Sequence, residues 1–164
     1  MPGTVRSHPT VLCLRLSSLG DVVLATAALT ALQARGKSAD WITLDTYAGL
    51  IEGHPAVNRV WTYSRSQGLG GWIRLILEVV RSGQYEEVLD LHGSLRTRLA
   101  GLLFLLHPRG QLVRWTTYSK ERWRNWGFYL FKSLWPVRLR PRSQVERFAQ
   151  AAGGSGRERP SLTH

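Results

Sequence analysis

The sequence predicts an α/β fold with a mostly parallel sheet, and three observations carry that expectation. Short apolar or β-branched runs alternate with longer stretches of helical spacing from residue 10 to about residue 152. Two of the runs, Val11–Leu16 and Glu87–Leu91, end in small polar turns, Ser17-Ser18-Leu19-Gly20-Asp21 and His92-Gly93-Ser94, and a helical stretch begins directly after each. Of the 164 residues, 43% are apolar, which suits one domain with one ordinary core and is too high for a disordered chain.

The elements follow in order. Residues 1–9 read as a loose leader with no apolar signal-peptide core. A first strand is expected over Thr10–Leu16 and a first helix over Asp21–Arg35, with Gly36 as its stop. Trp41–Leu44 is a short second strand. Tyr47–Glu52 supplies one or two helical turns closed by Gly53-His54-Pro55, and Val57–Tyr63 is a β-branched and aromatic third strand. Ser64–Gly71, polar and glycine-rich, is expected to be a loop. Trp72, Leu75, Ile76, Val79 and Val80 recur at helical spacing, with Gly83 ending that helix. Glu87–Leu91 is a fourth strand and Leu95–Leu106 a helix, and Gln111–Trp115 is expected as a fifth strand. Ser119–Trp135 has a helical pattern rich in Trp and basic residues, Pro136–Pro141 is extended, and Val145–Ala152 is a short helix. The polar tail, residues 153–164, is expected to fray.

Charge narrows the choice of partners. The net charge is +11; residues 1–82 hold 8 Lys and Arg against 5 Asp and Glu, and residues 83–164 hold 14 against 6. The second half should face something acidic: a phosphorylated lipid, a membrane surface or nucleic acid. Cys13 is the only cysteine, so no intrachain disulfide can form, and it belongs in the core. The longest apolar run, Leu99–Leu106, is broken by Gly101 and is too short to span a bilayer.

Three stretches could carry chemistry. In the first turn, Asp21 reads either as a helix-start residue or as a general base that accepts a proton from a sugar hydroxyl. The turn is neither a dinucleotide fingerprint nor a P-loop, because the required glycines and lysine are missing. The second turn offers His92, Ser94 and Arg96 for an anion or a sugar, against the plainer reading of an ordinary strand-to-helix turn. The third stretch, Arg114–Arg142, interleaves eight basic residues with aromatics against one acid, Glu121. That composition suits a phospholipid surface or phosphorylated glycolipid, nucleic acid, or simply an amphipathic helix with a solvated basic face. The five histidines lack metal-ligand spacing, so no metal site is expected, and no G-x-S-x-G nucleophile elbow occurs. No recognised nucleic-acid motif is present.

Taken together, the motifs resemble those of the family 9 glycosyltransferases, the lipopolysaccharide heptosyltransferases. Arg15-Leu-Ser-Ser-Leu-Gly-Asp21-Val-Val-Leu-Ala-Thr26 resembles the opening of that family, and Gly49–Val60 its second motif. Tyr85–Arg96 is similar to the third, Tyr118–Arg122 to the basic segment, and Val145–Phe148 to the region before the domain crossover. The departures are Ala27, where the family usually has proline, and Ser143 and Gln144, where a histidine-containing segment is common.

The resemblance implies the N-terminal, acceptor-binding half of a GT-B fold, a Rossmann-like parallel sheet with flanking helices. It implies an inverting, metal-independent transfer of heptose to the lipopolysaccharide inner core. Asp21 falls on the family's general base. Ser18 and Gly20 shape the loop beside it, His92, Ser94 and Arg96 lie near the acceptor, and Lys120 and Arg122 meet its acidic groups. The donor, ADP-heptose, would bind a second domain that the resemblance, covering about residues 10–150, does not reach. The chain is therefore expected to need a separate donor-domain polypeptide for activity. It needs no cofactor, and its expected partners are a lipid A–core glycolipid and the inner-membrane surface, on the cytoplasmic side, with no nucleic acid. The alternative is a non-catalytic module that binds anionic glycolipid or a membrane surface.

Overall fold

The computed structural model describes residues 11–82, 85–117, 144–154 and 160. Five parallel strands form one sheet: β1 (Val11–Leu14), β2 (Ala39–Leu44), β3 (Val57–Tyr63), β4 (Glu87–Asp90) and β5 (Arg114–Thr117), in the spatial order β3-β2-β1-β4-β5. The described residues also form the α-helices α1 (Leu19–Ala34), α2 (Gly68–Ser82), α3 (Leu95–Leu106) and α4 (Gln144–Ala151) and the 3₁₀ segments Asp45–Leu50 and Arg65–Gln67. The predicted α/β architecture is present, and the strand order makes it Rossmann-like. The chain leaves β1 in one direction to build β2 and β3, then returns to place β4 and β5 on the other side of β1.

Alternation along the central strands sorts the side chains into two layers. On one face Val11, Cys13, Trp41 and Leu89 pack under α1 and α4, with Leu29, Leu32 and Phe148 filling between them. On the other, Leu12, Leu14, Ile42 and Val88 pack under α2 and α3 with Trp72, Ile76 and Phe104. The central strands β1, β2 and β4 are buried on both sides, while the edge strands β3 and β5 are partly exposed. Cys13 is fully buried, and burial pushes its thiol well above its usual range. Gly36 has φ 65°, and the amide of Lys37 returns to the carbonyl of Leu32, so the expected glycine stop of α1 is a left-handed C-terminal cap.

β1 ends at Leu14, α1 begins at Leu19 and the first 3₁₀ segment begins at Asp45, each two residues from the sequence expectation, and three further differences have a tertiary reason. Ser64–Gly71 is not a loop throughout. Arg65–Gln67 forms a 3₁₀ turn and α2 begins at Gly68. The hydroxyl of Tyr63 donates to the carbonyl of Gly68 (2.8 Å), and Trp72 stacks edge-on against Tyr63, so packing overrides the low helix propensity of the glycines. The fifth strand lies at Arg114–Thr117 rather than Gln111–Trp115. The amides of Gly110 and Val113 close a turn over His107–Val113, and pairing starts where Arg114 N donates to Glu86 O (2.8 Å).

β2 starts two residues earlier than expected and takes in Asp40. This aspartate is buried, and its Oδ2 accepts from Tyr85 Oη (2.6 Å) and Trp61 Nε1 (3.2 Å). An acid at a strand start reads as a turn in sequence; here its two partners arrive from β3 and from the residues just before β4. Residue boundaries of α4 and β4 lie within a residue of expectation. The expected leader, the stop at Gly83 and the stretch Ser119–Pro141 lie outside the described residues, as does nearly all of the tail beyond Gly154.

Candidate functional site at the carboxyl ends of β1 and β4

In an open parallel sheet, ligands bind beyond the carboxyl ends of the strands, where the chain reverses its direction of winding. Here that point lies between β1 and β4. The two strands are direct neighbours, with Leu14 opposite Asp90, and they are followed by the two polar turns singled out above. Both turns run into helix N-termini, those of α1 and α3, so backbone N–H groups and two positive dipole ends converge on one crevice.

Arg15 ties the two turns together. Its side chain is buried; Nη1 donates to the carbonyl of Leu91 just past β4, and Nη2 pairs with Oδ2 of Asp21 in the first turn of α1. Its guanidinium also lies 5.5 Å from the ring centroid of Phe148 on α4. A buried arginine costs several kcal/mol of desolvation unless it is paired and hydrogen-bonded. The carboxylate of Asp21 and the Leu91 carbonyl meet that need together, and in doing so fix the first turn against the second. Sequence reading included Arg15 only as the start of a motif. Nothing in the strand pattern shows that its side chain turns inward at the strand end.

Asp21 is held on one side only. Oδ2 takes the Arg15 contact and accepts from Ser18 N (3.4 Å) and Ser18 Oγ (3.3 Å). Oδ1 has no hydrogen-bond partner among the described residues, and the side chain is 33% exposed. Among the described residues, the carboxylate is thus oriented through one oxygen while its side chain stays partly exposed. Ser18 is the residue just before α1 and its contacts orient Asp21; the Ser17–Ser18 peptide is cis. Gly20 is exposed, in the first turn of α1, and a Cβ there would meet nothing within 4 Å. Its lack of a side chain answers no internal packing need and leaves the surface beside Asp21 open.

The second turn is organised by Asp90, which sequence reading did not single out. Its buried Oδ1 accepts from the backbone N–H groups of His92 (3.0 Å) and Gly93 (2.8 Å), folding the chain sharply at the end of β4. Gly93 has φ 59°, a conformation that a side chain disfavours. The signal was available, since Asp-x-His-Gly after a strand is an aspartate-capped turn.

Ser94 caps α3: its Oγ accepts from Thr97 N (3.3 Å), while its own N–H donates to Thr97 Oγ1 (2.9 Å). It therefore shapes the turn. His92 is partly buried. Arg96 is exposed, with its guanidinium 5.8 Å from the ring centroid of Tyr63 and its carbonyl accepting from Trp72 Nε1 (2.9 Å), so its backbone is anchored while its charge stays at the surface.

The structure thus brings Ser18, Gly20, Asp21, His92, Ser94 and Arg96 to one edge of the sheet, three at each helix start, with Arg15 between them. Lys120 and Arg122 lie outside the described residues, as does Tyr118–Arg142. Trp115, counted in sequence with the interfacial aromatics of that stretch, belongs to the core. It packs edge-on against Phe104 (5.7 Å between centroids) and is only partly exposed. Within Gly49–Val60, His54 is buried before β3, where its Nδ1 accepts from Ala56 N (3.1 Å), and burial lowers its pKa. Among the described residues, no three His, Cys, Asp or Glu side chains gather to hold a metal ion.

Neither a protein-family model nor a curated protein sequence matches the chain. Solved structures do. A glycosyl transferase family 9 protein from Veillonella parvula superposes with a TM-score of 0.66 at 14% identity, over 93% of this chain and 44% of its own. The E. coli heptosyltransferase WaaC, solved with ADP, superposes with a TM-score of 0.58 at 21% identity, over 92% of this chain and 49% of its own. The E. coli ADP-heptose lps heptosyltransferase II gives a TM-score of 0.57 at 20% identity, over 94% of this chain and 46% of its own. The chain therefore spans slightly less than half the length of each. Its fold is that of one half of a family 9 glycosyltransferase, in agreement with the resemblance read from its sequence motifs.

Proposed function

We propose that the chain is the acceptor-binding half of a family 9 glycosyltransferase, acting in ADP-heptose:lipopolysaccharide heptosyl transfer. The observation that supports this most is the one-sided anchoring of Asp21. Arg15 and Ser18 hold Oδ2, and the partly exposed carboxylate lies beyond the carboxyl ends of the strands, where ligands bind in this kind of sheet.

In the proposed reaction an acceptor hydroxyl lies against Oδ1. Its oxygen attacks the anomeric carbon of the donor sugar, and its proton passes to Asp21. The bond from that carbon to the diphosphate breaks, and ADP leaves with the electron pair. The inner-core acceptor is phosphorylated. Arg96, exposed at the start of α3, would meet its anionic groups together with the free N–H groups of the two helix starts. His92 lines the same turn, Gly20 leaves room for the sugar, and Ser18 and Ser94 position the two loops. Lys120 and Arg122 are proposed as further contacts to the acidic acceptor.

The donor would be held by the other half of such a fold, which these residues do not span. Much of the rate would come from aligning the two substrates across the cleft, so the chain by itself is proposed to be inactive. The site of action would be the cytoplasmic face of the inner membrane. No helix among the described residues is long and apolar enough to cross a membrane.

Binding tests the acceptor assignment without a donor domain. Titration of the chain with deacylated, heptose-free inner-core oligosaccharide should perturb the fluorescence of Trp72, which is bonded to the Arg96 carbonyl. Arg96→Ala should weaken binding by roughly tenfold, the worth of one charge-assisted contact. Equal binding by parent and Arg96→Ala would remove Arg96 from the site, and no binding by the folded parent would count against an acceptor half. A non-catalytic glycolipid-binding module remains the second reading, favoured by the exposed arginines. It predicts the same binding but no transfer under any reconstitution.

A further inference from the structure

α3 carries an apolar surface that neither the core nor the crevice uses. Leu95, Leu102, Leu105 and Leu106 are 81%, 50%, 62% and 68% exposed, while Thr97, Ala100 and Phe104 on the opposite side of the helix are buried against the sheet. At 100° per residue the four leucines fall on one face of the helix. Leu112, in the turn that follows, is 96% exposed. A soluble surface seldom sets this many leucines side by side in water.

Along α3 and the turn that follows it, the charges are of one sign. Arg98 lies on the same outward side of α3, Arg96, Arg109 and Arg114 are also exposed, and no acidic residue occurs between Asp90 and Glu121. Arg109 is steadied by donating to the carbonyl of Arg81, which leaves its charge at the surface.

We infer that the outer face of α3 and the following turn is a docking surface for an anionic phospholipid bilayer. Leucines flanked by arginines on a helix match the chemistry of that interface, the apolar side chains entering the acyl boundary and the guanidinium groups meeting phosphates. A second copy of the chain is the poorer occupant, because pairing two such faces would bring the arginines of both together with no acid between them. The face begins at the crevice, since Leu95 directly follows the Ser94 cap. A bilayer beneath α3 would therefore present a lipid-borne group to the Asp21 edge. The inference deepens the membrane placement proposed above and rests on it only for the identity of the membrane.

Co-sedimentation of the chain with vesicles tests it. The vesicles are phosphatidylcholine alone, or phosphatidylcholine mixed with phosphatidylglycerol, and contain no sugar acceptor, so the result is independent of glycosyl transfer. The parent chain should bind the mixed vesicles and not the neutral ones, and raised salt should weaken binding. Leu102→Gln/Leu105→Gln/Leu106→Gln should lower affinity at least ~10-fold. Arg98→Gln/Arg109→Gln should lower it about 25-fold at low salt, at about fivefold per arginine. All five side chains are exposed, so circular dichroism should match the parent. Parent-like binding by the leucine variant, equal binding to neutral vesicles, or a parent dimer that the leucine variant dissolves while no vesicle is bound would each overturn the inference.

Discussion

Replacing Arg15 by methionine tests whether this one side chain fixes the two turns against each other. Methionine keeps the apolar stem and removes the guanidinium. The interactions lost include the charge-assisted hydrogen bond to the Leu91 carbonyl, the ion pair with Asp21, and the contact with the Phe148 ring. A hydrogen bond to a charged group contributes about 1.5–3 kcal/mol. A pair buried at both ends costs about 3–5 kcal/mol to break, but Asp21 is 33% exposed and can be solvated, which reduces its share to about 1 kcal/mol. The ring contact adds about 0.5 kcal/mol. Against these, the variant no longer has to desolvate a buried charge, which returns part of the loss.

The net expectation is a destabilisation of about 2–3 kcal/mol. With a urea slope of about 2 kcal/mol/M, the unfolding midpoint falls by about 1–1.5 M at unchanged slope. Asp21→Asn keeps the shape and leaves Arg15 its Leu91 carbonyl, so it should cost about 1 kcal/mol, clearly less than Arg15→Met. An Arg15→Met chain within 0.5 kcal/mol of the parent, or an Asp21→Asn chain that is the less stable of the two, would refute the role assigned to Arg15.

Further predictions follow from the same geometry. Gly20→Ala should raise stability by about 0.5–1 kcal/mol, because Gly20 lies in a helix and its Cβ meets nothing; weaker oligosaccharide binding by this more stable variant would locate the acceptor beside Gly20, and unchanged binding would place it elsewhere. Burial and the Asp40 contact raise the Tyr85 phenol above its ordinary 10.0, so the folded state keeps that proton while the unfolded chain loses it. Stability should hold below about pH 9 and fall by up to about 1.4 kcal/mol per pH unit above pH 10, and Tyr85→Phe should flatten the fall in chemical denaturation between pH 9 and 11. Burial lowers the His54 pKa below 6.5, so the unfolded chain takes up the proton first and stability should drop as pH falls through 6.5. His54→Asn, which preserves an acceptor for the Ala56 amide, should remove that step from denaturation curves at pH 7 and pH 5.

Much of this arrangement was legible in the sequence because it depends on local pattern. Continuous apolar strands, glycine stops and polar strand-to-helix turns each leave a signature within a few residues, and Asp21, His92 and Arg96 were found at the ends of such strands. What escaped was decided by partners distant in sequence. Arg15 turns inward because Leu91, 76 residues on, offers a carbonyl. Asp40 sits in a strand because Trp61 and Tyr85 satisfy its carboxylate. α2 starts at a glycine because Tyr63 and Trp72 pack there. The exposure of the α3 leucines was not legible in the sequence, since composition cannot show which side of an apolar helix meets the sheet. The structure places Leu102, Leu105 and Leu106 on the side of α3 away from Thr97, Ala100 and Phe104, and exposed.

Reconstituted transfer tests the central claim most directly. The chain would be mixed with the donor half of a heptosyltransferase, ADP-heptose labelled in the sugar, and a heptose-deficient lipopolysaccharide acceptor, and label reaching the lipopolysaccharide would be counted. The account predicts transfer only when both halves are present, and its loss with Asp21→Asn in a chain that still folds and still binds the acceptor oligosaccharide. Transfer by Asp21→Asn at the parent rate, or no transfer by a folded, acceptor-binding parent in the presence of an active donor half, would contradict it.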